Sequence, residues 1–240
     1  MKQTLPASLS AMVLALAAGS ASAQIANGNF NGLAGWSTTG DAASVGGNHL
    51  VLTNAYPDGT DDVDGVIRNL SGNAPTVAGP FENFVGIAPG ALDYDAANLL
   101  QAQEGSAAKQ SFSAAAGSRL TFQWDLSTTE TSTDPSVADV AFVVIDGQLI
   151  TLANTLAATG PGSGDYATQT GWMNWSTTFA TGGTHTIAFG IVDEGQLTDT
   201  SALSVTGVGV ITAVPESSGV AMTMAGLGLL ALQARRRRKS

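Results

Sequence analysis

Downstream of residue 48 the apolar residues fall in short runs, each cut off by glycine, proline or an Asp-Gly pair, and that punctuation leaves room for strands and little else. After the turn at Ala116-Gly117, the series Leu120, Phe122, Trp124, Leu126 alternates with polar residues, the period-two signature of a half-buried strand. Val140–Ile145 is apolar on both faces, which predicts a central strand, and Asp146-Gly147 turns it back into a second strand at 149–152. His49–Thr53, 81–88, 172–179, 184–192 and 203–211 complete the predicted set. Residues 81–88 are closed by Pro89-Gly90. In 203–211 the apolar phase shifts between Val205 and Val208 across Gly207, which predicts a β-bulge. Only 91–103 offers helical spacing, with Leu92, Ala96, Leu99 and Leu100, and a short helix and an irregular crossover both fit it. The expectation is an all-β chain: an antiparallel β-sandwich of jelly-roll type, joined to one C-terminal transmembrane helix.

The two ends read differently from the middle. Lys2, an apolar stretch over 9–18 and the small residues Ala21 and Ala23 around Ser22 make a secretory signal peptide, with cleavage expected after Ala23. At the other end, residues 217–234 hold no charge, and at about 1.5 Å per residue a helix there is roughly 27 Å long, enough for a thin bilayer. Arg235, Arg236, Arg237, Arg238 and Lys239 follow, and five clustered cations resist translocation and hold the C-terminus in the cytoplasm. The expected organisation is therefore a signal peptide at 1–23, an exported sandwich domain at 24–213, and an anchor tail at 214–240.

Charge follows the same division. Of nine Lys and Arg, only Arg68, Lys109 and Arg119 lie in the domain, against eighteen of the nineteen carboxylates, a net −15. That sign excludes nucleic acid as a partner and fits a solvated surface or a domain that takes divalent cations through oxygen ligands. The chain has no cysteine, so stability rests on an ordinary core, and thiol catalysis and thiolate metal sites are excluded.

The densest polar cluster is Asp58, Asp61, Asp62 and Asp64. Four carboxylates in seven residues are either fully solvated or neutralised by a cation, and calcium suits such a loop, although the spacing is not that of an EF-hand. Asp125, Glu130, Asp139, Asp146 and Asp193 fall at strand ends or turns, where a pair could act as the acid and base of a glycosidase. Eighteen acids make some such pair an expected coincidence, and Asp146-Gly147 already has a role in its hairpin. His49 and His185 lack the spacing of a metal pair, and there is no nucleophile elbow, phosphate loop or dinucleotide fingerprint. No catalytic residue is therefore assigned, and the chain is read as a non-enzyme. Among the four tryptophans, Trp124 shares a face with Phe122 and Leu126 and belongs to the core. Trp172 and Trp175 are three apart and so point oppositely in a strand, which leaves one of them free to stack on a sugar ring.

Val214, Pro215 and Glu216, the apolar run and the basic cluster together resemble the PEP-CTERM sorting signal of Gram-negative bacteria, with Ser217 where that family usually has a second proline. The resemblance implies processing near the Pro-Glu motif by an exosortase, a transient stay in the inner membrane, and a mature form at the cell surface or in the extracellular matrix. Asn27-Gly-Asn-Phe30 with Leu33-Ala-Gly-Trp36 resembles the opening of secreted jelly-roll modules related to carbohydrate-binding domains. The order of Leu120-Thr-Phe-Gln-Trp124, Glu130, Asp139-Val-Ala-Phe142, Asp146-Gly147 and Phe189-Gly-Ile-Val-Asp193 is similar to that of PEP-CTERM surface proteins, which commonly carry Asp where this chain has Thr206. The function implied is structural or adhesive, within or bound to exopolysaccharide. A calcium-assisted carbohydrate-binding module comes second and a glycan-active hydrolase third.

Overall fold

A computed structural model describes residues 24–62, 64–94, 101–195 and 197–212, with 226, 227, 235 and 237 in the tail. The signal-cleavage residues Ala21 and Ala23, the sorting motif Val214, Pro215 and Glu216, nearly all of 217–234, and Arg236, Arg238 and Lys239 lie outside the described residues. Among the described residues no helix is long and apolar enough to cross a membrane.

In chain order the elements are β1 (Ser37–Thr39), β2 (Asp41–Val45), β3 (His49–Thr53), β4 (Thr76–Val77), α1 (Ala78–Val85), β5 (Ala102–Ala114), β6 (Arg119–Thr128), β7 (Val140–Ile145), β8 (Gln148–Asn154), β9 (Gly160–Pro161), β10 (Thr168–Gln169), β11 (Met173–Thr178), β12 (Gly183–Glu194) and β13 (Ser201–Ile211). They form two antiparallel sheets. One has the order β1-β5-β12-β7-β8, with β4 also on β5; the other runs β2-β3-β13-β6-β10-β9, with β11 also on β6. The two sheets stack as a sandwich, and from β5 onward the chain passes repeatedly from one to the other.

Alternation along the strands builds the core between the sheets. Leu120, Phe122, Trp124 and Leu126 of β6 face Ile187, Phe189 and Ile191 of β12, with Leu50 and Leu52 of β3 and Leu203 and Val205 of β13 beside them. Phe122 meets Phe189 edge-on at 4.8 Å, and Trp36 packs on Phe189 at 5.9 Å. β7 sits between β12 and β8, as a strand apolar on both faces should. Its Ala141, Val143 and Ile145 join this inner core. Its Phe142 and Val144 face outward, into a second apolar cluster covered by Phe81, Val85 and Leu92.

That cover corrects one expectation. Residues 81–88 were predicted as a strand, and most of them are helical. Phe81 and Val85 are four apart, so both land on the outer face of the sheet. Pro80 falls in the first turn, where a missing N–H costs nothing, and Gly86 ends the helix at a φ of 86° with its N–H on the Glu82 carbonyl at 2.9 Å. The helix-like stretch predicted at 91–103 is a series of turns and bends at 91–94, with residues 95–100 outside the described set and β5 already begun at Ala102. The bulge is where the pattern places it: the β13–β6 register shifts between Thr206 and Gly209, with Gly207 at a φ of 61°. Asp146 and Gly147, at φ of 51° and 78°, make the two-residue turn between β7 and β8.

Candidate functional site

The outer face of the seven-stranded sheet carries a row of side chains opposite to the core positions. Ser204 of β13 pairs with Val51 of β3 on one side and with Asp125 of β6 on the other, and Ala202 pairs with Ser127. These short residues make a floor. Two loops raise walls along it, one bringing Ile67, Arg68 and Leu70, the other Asp165, Tyr166, Gln169 and Trp172, around a cleft of about 410 Å³. Trp172 is 46% exposed and stacks on His49 at 5.1 Å. Ile67 and Leu70 are also exposed, so the rim carries apolar side chains, while Ser127, Ser204 and Asp125 stand beside Val51 and Ala202 on the floor.

Arg68 holds the walls together. Its guanidinium bonds Asp62 at 2.8 Å and Asp64 at 2.6 Å, donates to the Asp165 carbonyl of the opposite loop at 2.6 and 3.0 Å, and lies 5.7 Å from the Tyr166 ring centroid. The Asp64 carboxyl is held well below the usual range, first by its hydrogen bond to Arg68. Asp41, fully buried in β2, fixes the same loop from behind by accepting from the Leu70 and Ser71 N–H groups and from the Thr53 hydroxyl. At the floor, Asp125 accepts from Thr170 Oγ1 at 3.0 Å.

The four carboxylates singled out as a calcium loop do not gather around one point. Asp62 and Asp64 share Arg68. Asp58 is exposed and accepts from the Thr60 hydroxyl at 2.9 Å. Asp61 is buried and accepts from the Tyr56 N–H at 2.8 Å. Among the described residues no three acidic or histidine side chains stand in the arrangement of a formed metal cage. The two candidate tryptophans part: Trp172, just before β11 begins, lines the cleft, whereas Trp175 within β11 is half-buried, stacked on Phe122 at 4.9 Å at the edge of the core.

No protein-family model matches this sequence, and no curated protein matches it. Several solved structures resemble the fold. A family 61 carbohydrate-binding module in complex with β-1,4-galactotriose is 10% identical, with a TM-score of 0.36 over 79% of this chain and 97% of that one. A family 4 carbohydrate-binding module is 15% identical, TM-score 0.33, over 77% and 99%. The N-terminal cellulose-binding domain of a Cellulomonas fimi β-1,4-glucanase is 14% identical, TM-score 0.31, over 75% and 90%. Likeness of this order says nothing about what the cleft holds.

Of the strand-end carboxylates, Asp125 alone lines the cleft, and Asp146 accepts from the Thr186 N–H and pairs with His185 Nδ1 at 2.7 Å beside its hairpin. Glu130, Asp139 and Asp193 gather elsewhere, buried at one end of the sandwich. The groups whose carboxyls are pushed upward by burial are therefore not in the cleft. Sequence reasoning missed Arg68. Its signal was available: the first domain cation in the sequence follows directly on the acidic loop, four residues after Asp64.

Proposed function

We propose that the domain is a non-catalytic glycan-binding module, and that the protein serves a structural or adhesive role in an exopolysaccharide matrix. The observation that carries this reading is the exposed Trp172 at the rim of a cleft whose floor offers two hydroxyls and one carboxylate. A flat indole offers an apolar face to the C–H side of a sugar ring, while Ser127, Ser204, Gln169 and Asp125 can exchange hydrogen bonds with its hydroxyls. The ligand is a neutral chain. The cleft's cation is already paired twice, and a domain of net −15 repels anionic glycans. An acid–base pair would need one carboxyl raised within the cleft, and Asp139, Asp193 and Glu194, which are raised, do not line it.

The ends of the sequence support the location: a leader at 1–23 for export, then a tail at 214–240 of the PEP-CTERM type for exosortase processing. A glycan array probed with the full-length chain in mild detergent tests the module. Neutral oligosaccharides are expected to bind, and Trp172→Ala to weaken them at least tenfold, about 1.4 kcal/mol, with an unchanged melting temperature. Equal binding by the variant, or no bound glycan at all, overturns the reading.

A further inference from the structure

One end of the sandwich gathers more acid than its surroundings can neutralise. Asp193 is the last inward residue of β12, and its register partner on β5 is Glu104. Asp139 stands immediately before β7 and Glu130 just after β6. Asn54, immediately after β3, donates its one side-chain NH2 to Asp139 at 2.9 Å and to Asp193 at 3.3 Å. Tyr56 links two more, its hydroxyl on Glu104 and its backbone N–H on Asp61. The sheet topology brings these strand ends together from five separate stretches of chain.

Each of these carboxylates is at most 6% exposed, and each of four has an oxygen with no hydrogen-bond partner: Asp61 Oδ1, Glu104 Oε1, Glu130 Oε1 and Asp193 Oδ1. No cation of the domain reaches them. Arg68 is bound to Asp62 and Asp64, Lys109 donates to the Phe84 carbonyl, and Arg119 to the Ser176 hydroxyl. Buried carboxylates without a partner are costly by several kcal/mol each, so such a cluster needs positive charge from outside the chain or must hold protons.

We propose that this end of the sandwich binds a hard divalent cation of the calcium kind, with Asp61, Glu104 and Asp193 supplying the unpartnered oxygens and Asp139 beside them. The donor set is all oxygen, with none of the thiol or imidazole donors on which structural zinc sites are built. Calcium accepts six to eight oxygens in irregular geometry, whereas magnesium demands a near-ideal octahedron. The carboxylates do not close on one point in the present arrangement, so the ion draws them together. Asp61 sits in the segment after β3, while Glu104 and Asp193 are fixed on paired strands. Of the acidic loop read in the sequence only Asp61 joins this cluster, Asp62 being buried against Arg68 instead, and the site does not depend on what the cleft binds.

The test uses the full-length chain in mild detergent, stripped with chelator and titrated with CaCl2 by calorimetry. Thermal melts run in parallel in CaCl2, MgCl2 and NaCl at matched ionic strength. One calcium per chain is expected, with a rise in melting temperature that NaCl does not reproduce. Asp193→Asn with Glu104→Gln should lower calcium affinity at least tenfold, and Asp58→Asn should leave it unchanged. Should the double variant fail to fold, Asp61→Asn is expected to weaken binding by the same order. No calcium heat overturns the proposal. So does a melting shift that NaCl matches, binding that survives the Asp61 or double variant, or binding that Asp58→Asn abolishes.

Discussion

Replacing Arg68 with Met keeps most of the side chain's apolar length and removes its charge. The consequence falls on Asp62, whose side chain is fully buried against Arg68. Its remaining partners would be the Thr200 hydroxyl at 2.6 Å and the residue 68 N–H at 3.3 Å, which leave the negative charge without a counter-ion. Breaking a buried pair by removing one member costs about 3–5 kcal/mol. Asp64 is left out of the figure because its carboxylate stays in water. For a domain of this size each kcal/mol moves the midpoint by about 2–4 °C, so a fall of roughly 6–20 °C is expected by circular dichroism. Arg68→Met with Asp62→Asn removes the stranded charge and should regain part of the loss. Because Arg68 also ties the two walls, the single variant should lose glycan binding as well. A midpoint within about 2 °C of the wild type, or a double variant no more stable than the single one, would refute the reasoning.

Gly190→Ala should destabilise by about 1–3 kcal/mol in a denaturant melt, because its Cβ would stand 2.3 Å from Phe142 Cζ; Phe142→Leu in the same chain should recover part of this, and an unchanged midpoint would contradict the packing. In chelator, stability should fall as pH rises from about 5 to 8. Burial above all, with mutual repulsion, raises Asp139 and Asp193, and burial pushes Glu194 up to about 8. The folded state therefore keeps protons that the unfolded chain has released above about pH 4, and the stabilisation is complete below that value and lost as pH climbs through the folded values. Melts that rise over this interval would show that the cluster is already ionised.

Much of the sandwich could be read locally. The double-faced run at β7, the Asp146-Gly147 turn and the phase slip at Gly207 each state a backbone requirement within a few residues. The helix at α1 was misread for a physical reason. An apolar run closed by Pro89-Gly90 looks like a strand, and what decides the matter is the apolar outer face of β7 and β12, which needs Phe81 and Val85 as cover. Trp172 and Trp175 could be separated by their spacing, but which one faced water depended on where β11 joins β6. The cleft and the buried acids were less legible. Their members come from segments far apart in sequence, and only the pairing of Ser204 with Val51 and Asp125, or of Asp193 with Glu104, makes them neighbours.

The strand order also bears on when this chain can fold. β12 and β13, the final pair, occupy interior positions, one in each sheet: β12 between β5 and β7, β13 between β3 and β6. Until residue 211 has been made, β3 and β6 have nothing to join them, and before β12 arrives β5 and β7 stand apart with their inward faces bare. Local contacts cannot substitute, since β13 must find a partner in β3 at the far end of the domain, the kind of long-range closure that slows folding. A nascent chain of this order cannot close its core until its last strands emerge, and it exposes apolar strand edges to aggregation for as long as that lasts.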